Sequence, residues 1–189
     1  MELFNDLVDD GLQHICIRLI SGSIKNDKKE GIPDKEVVEI IERCRKKILN
    51  REAMFTYSLV YMGVKSIKET IEKNLVCAFQ ISKEYPKIEV GYDLVDNEDQ
   101  FLNQWDLKDF LIKRYKELKE EYGSDVHYVF HAGESNNVKN TNILDCILLG
   151  TKRIGHGLML FKQQYLMDEV KRRGIVVEIN MLSNLVMKY

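Results

Sequence analysis

Short apolar runs rich in β-branched and aromatic residues recur along the chain, each separated from the next by a longer polar stretch with helical spacing. Residues 14–20, 53–62, 88–95, 126–131, 153–156 and 175–181 read as strands. Pro33 opens the first helical pattern, with Val37, Val38, Ile40, Ile41, Cys44 and Ile48 on one side. Ser66 predicts a cap for the second helix, with Glu69 as its capping-box partner; that helix runs towards Lys83 and stops before Tyr85-Pro86. Residues 107–122, 143–149 and 163–173 complete the helices, each followed by a glycine: Gly123, Gly150 and Gly174. Strict alternation of strand and helix implies a parallel sheet, because parallel neighbours need long crossovers. Two architectures satisfy it: a doubly wound open sheet and a (β/α)8 barrel. A complete barrel needs eight units and about 250 residues, so six units make an incomplete one.

The charge balance narrows the partners. With 28 Lys+Arg against 30 Asp+Glu the net charge is −2, which gives no electrostatic reason to expect nucleic acid or an anionic membrane. No apolar run approaches the roughly 18–20 residues that span a bilayer. No linker, repeat or low-complexity stretch divides residues 1–189, which therefore read as one domain or part of one. Cys16, Cys44, Cys77 and Cys146 form no C-x-x-C pair, and buried free thiols are expected. Met54, Met62, Met159, Met167 and Met181 are expected to fill core gaps. The first residues carry no signal-peptide pattern, and no Asn-x-Ser/Thr acceptor hints at secretion.

In both architectures the working residues stand at the C-terminal ends of the strands. There the sequence places Arg18, then Asp93 with the acidic stretch 96–99, then His131-Ala132-Gly133-Glu134, then Gly155-His156-Gly157, and finally Ser183-Asn184. Small Ala132 and Gly133 permit a tight turn that aims an imidazole and a carboxylate at one point. A neutral imidazole suits a metal, and a carboxylate near activated water suits proton transfer. The next strand end would bring His156 beside His131, since parallel neighbours lie about 4.8 Å apart. The acidic stretch 96–99 reads as a solvated loop. A dinucleotide loop, a G-x-S-x-G elbow and a Walker loop are all missing from the sequence.

Taken together, these residues resemble a known family. Phe130-His131-Ala132-Gly133-Glu134 and Lys152-Arg153-Ile154-Gly155-His156-Gly157 are similar to successive strand ends of adenosine deaminases. Gly91-Tyr92-Asp93-Leu94-Val95 with Glu98-Asp99 resembles the preceding one. Asn142-Ile143-Leu144-Asp145, Leu149-Gly150-Thr151-Lys152-Arg153 and Val177-Glu178-Ile179-Asn180 with Ser183-Asn184 are similar to the growth-factor-type branch. The matched stretch covers residues 91–188, and residues 1–90 agree in pattern alone.

The resemblance implies an α/β fold: an incomplete (β/α)8 barrel of the metal-dependent hydrolase type, cut at both ends, with about six of eight units. It implies hydrolytic deamination of adenosine and 2'-deoxyadenosine, with Zn2+ as cofactor. His131 would be a zinc ligand. Glu134 would protonate purine N1 as hydroxide attacks C6, and His156 would orient and help deprotonate the water on the zinc. Asp93 would support the site, and Asp96, which stands where the family has glycine, would offer its backbone N–H to the purine. The family's His-x-His and Asp-Asp ligand segments have no counterpart here, so the chain alone is expected to be inactive. The parent protein would be secreted, with a cytoplasmic setting as the alternative, and could form a homodimer. The competing readings are a catalytically degenerate relative acting as a secreted binding or growth-factor-like protein, and another metal-dependent amidohydrolase of the same barrel class. The other zinc-deaminase signature, H-x-E with P-C-x-x-C, does not occur in the sequence.

Overall fold

Six strands lie side by side in the order in which the chain makes them, every neighbouring pair parallel. They are β1 (His14–Leu19), β2 (Thr56–Val64), β3 (Glu89–Val95), β4 (His127–Ala132), β5 (Arg153–His156) and β6 (Val176–Glu178). Between them run α2 (Asp34–Ile48), α3 (Lys68–Glu84), α4 (Lys108–Tyr122), α5 (Asn142–Leu148) and α6 (Gln164–Arg172). Two further helices, α1 (Glu2–Asp9) and α7 (Met181–Val186), flank the alternation. The computed structural model describes residues 1–186; the last two positions of the matched stretch, 187 and 188, lie outside it.

The strand order decides between the two architectures left open by the sequence. A doubly wound sheet reverses its order at a switch point, whereas this one never does. The sheet also curls. In a flat sheet β1 and β6 would stand about 24 Å apart, five strand spacings of roughly 4.8 Å. Arg18 on β1 nevertheless reaches Glu178 on β6, with Nη2 2.6 Å from Oε2. The protein is thus a six-stranded half-barrel with its helices outside.

The core lies between the outer faces of the strands and these helices. Leu59, Tyr61, Tyr92, Leu94 and Phe130 meet Val38, Leu75, Phe79, Leu111 and Leu118 there, all of them fully buried. Tyr92 and Tyr128 donate their hydroxyls to backbone carbonyls of Ile71 and Leu111, so each buries a large ring without stranding its polar end. Gly123, at φ +64°, closes α4 in the left-handed conformation expected of it.

Several expectations need correction. The strand placed at 175–181 is only three residues long, and α7 takes over at Met181. This strand stands at the sheet edge, where the following residues have little to pack against, and Ile179 is 76% exposed. The second strand starts three residues later than expected and continues through Val64. Ser66 does not cap α3: its backbone N–H donates to Asp96 Oδ2 (3.0 Å). No side chain caps α3; Thr70, in its first turn, ties the helix to the end of β2, accepting from the Val64 N–H (2.8 Å) and donating to the Ile67 carbonyl (2.7 Å). Helix α1 went unread, although Phe4 packs on Phe55 at a 5.5 Å ring separation. Of the five methionines expected in the core only Met159 is buried, while Met54, Met167 and Met181 are exposed. All four cysteines are free, but only Cys146 is buried.

Candidate active site at the strand ends

The inner face of the half-barrel carries charged side chains beside the buried valines Val60 and Val129. Asp93 on β3 is fully buried. Its Oδ1 accepts the His131 backbone N–H (2.9 Å), and its Oδ2 lies 2.6 Å from His131 Nδ1. Asp93 therefore fixes both the backbone and the ring of His131. A carboxylate on Nδ1 favours the tautomer whose lone pair sits on Nε2, the arrangement that orients ligand imidazoles. Burial opposes protonation of this ring, but the Asp93 charge and hydrogen bond outweigh it and hold the His131 pKa above its ordinary value. Arg18 approaches Asp93 from β1 (Nε to Oδ2, 3.4 Å), and Arg153 on β5 approaches Glu178 (Nε to Oε1, 2.8 Å). The charges alternate in sign around the curl: Asp93, Arg18, Glu178, Arg153.

The neighbouring strand end supplies the second half. Register pairs His131 with Gly155 and Ala132 with His156. A Cβ on Gly155 would sit 3.1 Å from the His131 ring, so the glycine makes room for that imidazole. His156 has φ +70°, a costly conformation for a residue with a side chain, of the kind that persists where surroundings over-determine it. Its ring centroid lies 5.2 Å from that of His131. Its Nε2 is 3.4 Å from Glu134 Oε1, and its Nδ1 is 3.2 Å from Asn184 Oδ1. Asn184 in turn donates to the Glu134 backbone carbonyl (2.9 Å). One imidazole is thus held by a carboxylate on the left, and a second faces a carboxylate on the right.

Four of the five predicted residues, Asp93, His131, Glu134 and His156, come together through these contacts. Asp96 turns aside: its side chain accepts from the Ser66 and Asn97 backbone N–H groups. Partial burial would raise its pKa, but those bonds more than offset it and hold the carboxyl below its usual range. Its φ of +147° explains why a glycine suits the position.

The acidic stretch is not simply solvated. Glu98 is 5% exposed and accepts from the Gly133 N–H (2.9 Å), the Ser135 N–H (2.6 Å) and Asn142 Nδ2 (3.3 Å). Sequence reasoning missed Glu98, and it gave Asn184 no role. Lys65, also buried, lies near Glu98, Asp93 and Asp96; burial pushes its pKa down against their attraction. Among the described residues no three His, Cys, Asp or Glu side chains are grouped to hold a metal ion.

A curled parallel sheet with polar side chains gathered at one strand end is the architecture of (β/α)8 barrels. An amidohydrolase from Burkhoderia ambifaria, solved with bound Zn, superposes with a TM-score of 0.66 at 17% identity, over 94% of this chain and 45% of that one. The adenosine deaminase family model matches residues 1–189, and the chain belongs to that family. Adenosine deaminase 2 of Dictyostelium discoideum is 33% identical over 193 residues, which cover 99% of this chain and 35% of the relative. The adenosine deaminase of Phlebotomus duboscqi is 27% identical over 99% of the chain, and human adenosine deaminase 2 is 32% identical over 62% of it. The chain spans roughly a quarter to a third of the length of these curated relatives.

Proposed function

We propose that the chain carries the Asp93–His131–Glu134–His156 side of the active site of a zinc-dependent purine nucleoside deaminase, converting adenosine or 2'-deoxyadenosine to the inosine product and ammonia. The observation that carries this reading is the pair of imidazoles at adjacent strand ends, one braced by Asp93 and the other facing Glu134. Residues 1–189 are then part of an adenosine deaminase catalytic domain.

The donors present fit one corner of a zinc site and not a whole one. His131 is oriented for it through Asp93, but a catalytic zinc normally takes at least three protein ligands. Zinc, when bound, lowers the pKa of its water towards neutrality. Glu134 would give a proton to purine N1 as water adds at C6. His156, 3.4 Å from Glu134, orients that water and takes up its proton. Breaking the C6–N bond with proton return to nitrogen releases ammonia. An extracellular setting and a homodimeric assembly of the parent protein belong to the same reading and rest on the family resemblance alone. A cytoplasmic setting is the alternative.

The degenerate-relative reading draws on one observation, the aspartate at φ +147° where the family has glycine. Purified residues 1–189 should show no loss of adenosine absorbance with zinc supplied. Turnover that appears when segments bearing His-x-His and Asp-Asp are added, and disappears in Glu134→Gln, supports the deaminase. Absence of turnover with both segments present overturns it in favour of the degenerate relative.

A further inference from the structure

We propose that Glu98 is a positioning residue that aims Glu134 at His156. The inference rests on the deaminase reading for its significance, but its geometry stands on its own. The Glu98 carboxylate accepts the backbone N–H of Gly133 through Oε2 and that of Ser135 through Oε1, the two residues on either side of Glu134. One buried carboxylate thus clamps the Ala132–Gly133 peptide and the Glu134–Ser135 peptide, on either side of Glu134. Charge-assisted bonds of this kind are about twice as strong as neutral ones.

The clamp is itself braced. Asn142 Nδ2 donates to Glu98 Oε2 (3.3 Å), and Asn140 Nδ2 donates to the Glu98 backbone carbonyl (3.1 Å). Lys65, just past the end of β2, lies nearby. The clamped loop has little freedom on its other side either. Gly133 sits at φ +69°, and a Cβ there would lie 2.5 Å from Ile143 Cδ1. With the backbone held at both flanks, the Glu134 Cα–Cβ bond has one direction to take. It takes the one that brings Oε1 to His156 Nε2. Glu98 makes none of its own hydrogen bonds to His131 or His156, so its influence on the site passes through Glu134.

The test uses 15N-labelled residues 1–189, their melting curves, amide exchange and imidazole 15N shifts. In the unaltered chain the Gly133 and Ser135 amides should be protected from exchange; free exchange at both overturns the proposal without any variant. Glu98→Gln keeps the shape of the side chain but offers one acceptor where two donors point. It should speed exchange at Gly133 and Ser135 by about tenfold relative to the β4 amides. It should also shift His156 Nε2. A merely structural role for Glu98 would lower the melting temperature and leave that nitrogen unmoved. Glu134→Ala should abolish the effect of Glu98→Gln on His156, because the coupling runs through the missing side chain. Persistence of the shift in the double variant overturns the proposal. If Glu98→Gln fails to fold, Glu98→Asp, which keeps the charge on a shorter stem, is read in the same way. Adenosine turnover is no part of these readouts, so a failed deaminase leaves the coupling measurable, and a failed coupling leaves the deaminase standing.

Discussion

The loop after β4 and the segment after β6 close the same end of the sheet, yet they are held very differently. Around the first, Asp93 and Glu98 accept from backbone and side-chain donors, Asn142 Nδ2 among them, at distances of 2.6–3.3 Å, and the flanking strands β3 and β5 pack on both sides. After β6 the strand stops at three residues, and Ile179, Leu182, Leu185 and Val186 are exposed. There a single side chain, Asn184, ties α7 to the site through His156 and Glu134. Precision in this fold follows the number of neighbouring strands: the middle of the sheet can over-determine a side chain, and the edge has fewer contacts with which to do so.

The largest test of that contrast is Asp93→Ala. It leaves His131 and Arg18 without their buried partner, and breaking such a pair typically costs about 3–5 kcal/mol. Urea unfolding checks it; a loss below that of any edge substitution breaks the comparison. The same carboxylate sets a pH dependence. Because the folded pKa of His131 is raised, its stabilisation is complete below the ordinary value of about 6.5 and is lost as pH rises through the folded value. Melts across that range with a chelator present should show stability falling as pH rises, and Asp93→Asn should flatten the trend.

Gly133→Ala comes next. The positive φ and the approach to Ile143 act together, and the expected cost is about 1–3 kcal/mol, less if the isoleucine can rotate away. Thermal denaturation reads it. Asn184→Ala is the smallest, at about 1 kcal/mol for its hydrogen bonds, and should increase amide exchange in α7 while leaving β3 and β4 unchanged. A cost equal to that of Asp93→Ala would show that the edge is integral to the site.

The same contrast governs what could be read from sequence. The alternation of apolar runs and helical stretches located all six strands, because β-branched runs of this length punctuated by Pro33, Tyr85-Pro86 and the helix-ending glycines have few other solutions. Asp93, His131, Glu134 and His156 were legible for a related reason: each stands at or just beyond a strand end, and parallel register carries neighbouring ends to one place. Glu98 was not, since its burial depends on Gly133 and Ser135, 35 and 37 residues away, folding back over it. Ser66 misled because a local capping pattern lost to a tertiary acceptor, Asp96. The end of β6 misled because apolar composition continues past Glu178 where the pairing does not. The reversal that separates a doubly wound sheet from a barrel is a matter of strand order, which periodicity does not encode.

The bond between Arg18 and Glu178 joins residues 160 positions apart, and it constrains the order in which the molecule can assemble. Closing a loop of that length directly would cost about 4–5 kcal/mol of chain entropy. Each strand instead pairs with the one made just before it, so every step closes a much shorter loop. The distant ion pair then forms almost without entropic penalty, once the curl exists. It should therefore be absent from the folding transition state. In a chevron analysis Glu178→Gln is expected to raise the unfolding rate and leave the folding limb where it was, which makes this pair a latch on the finished structure rather than a guide to it.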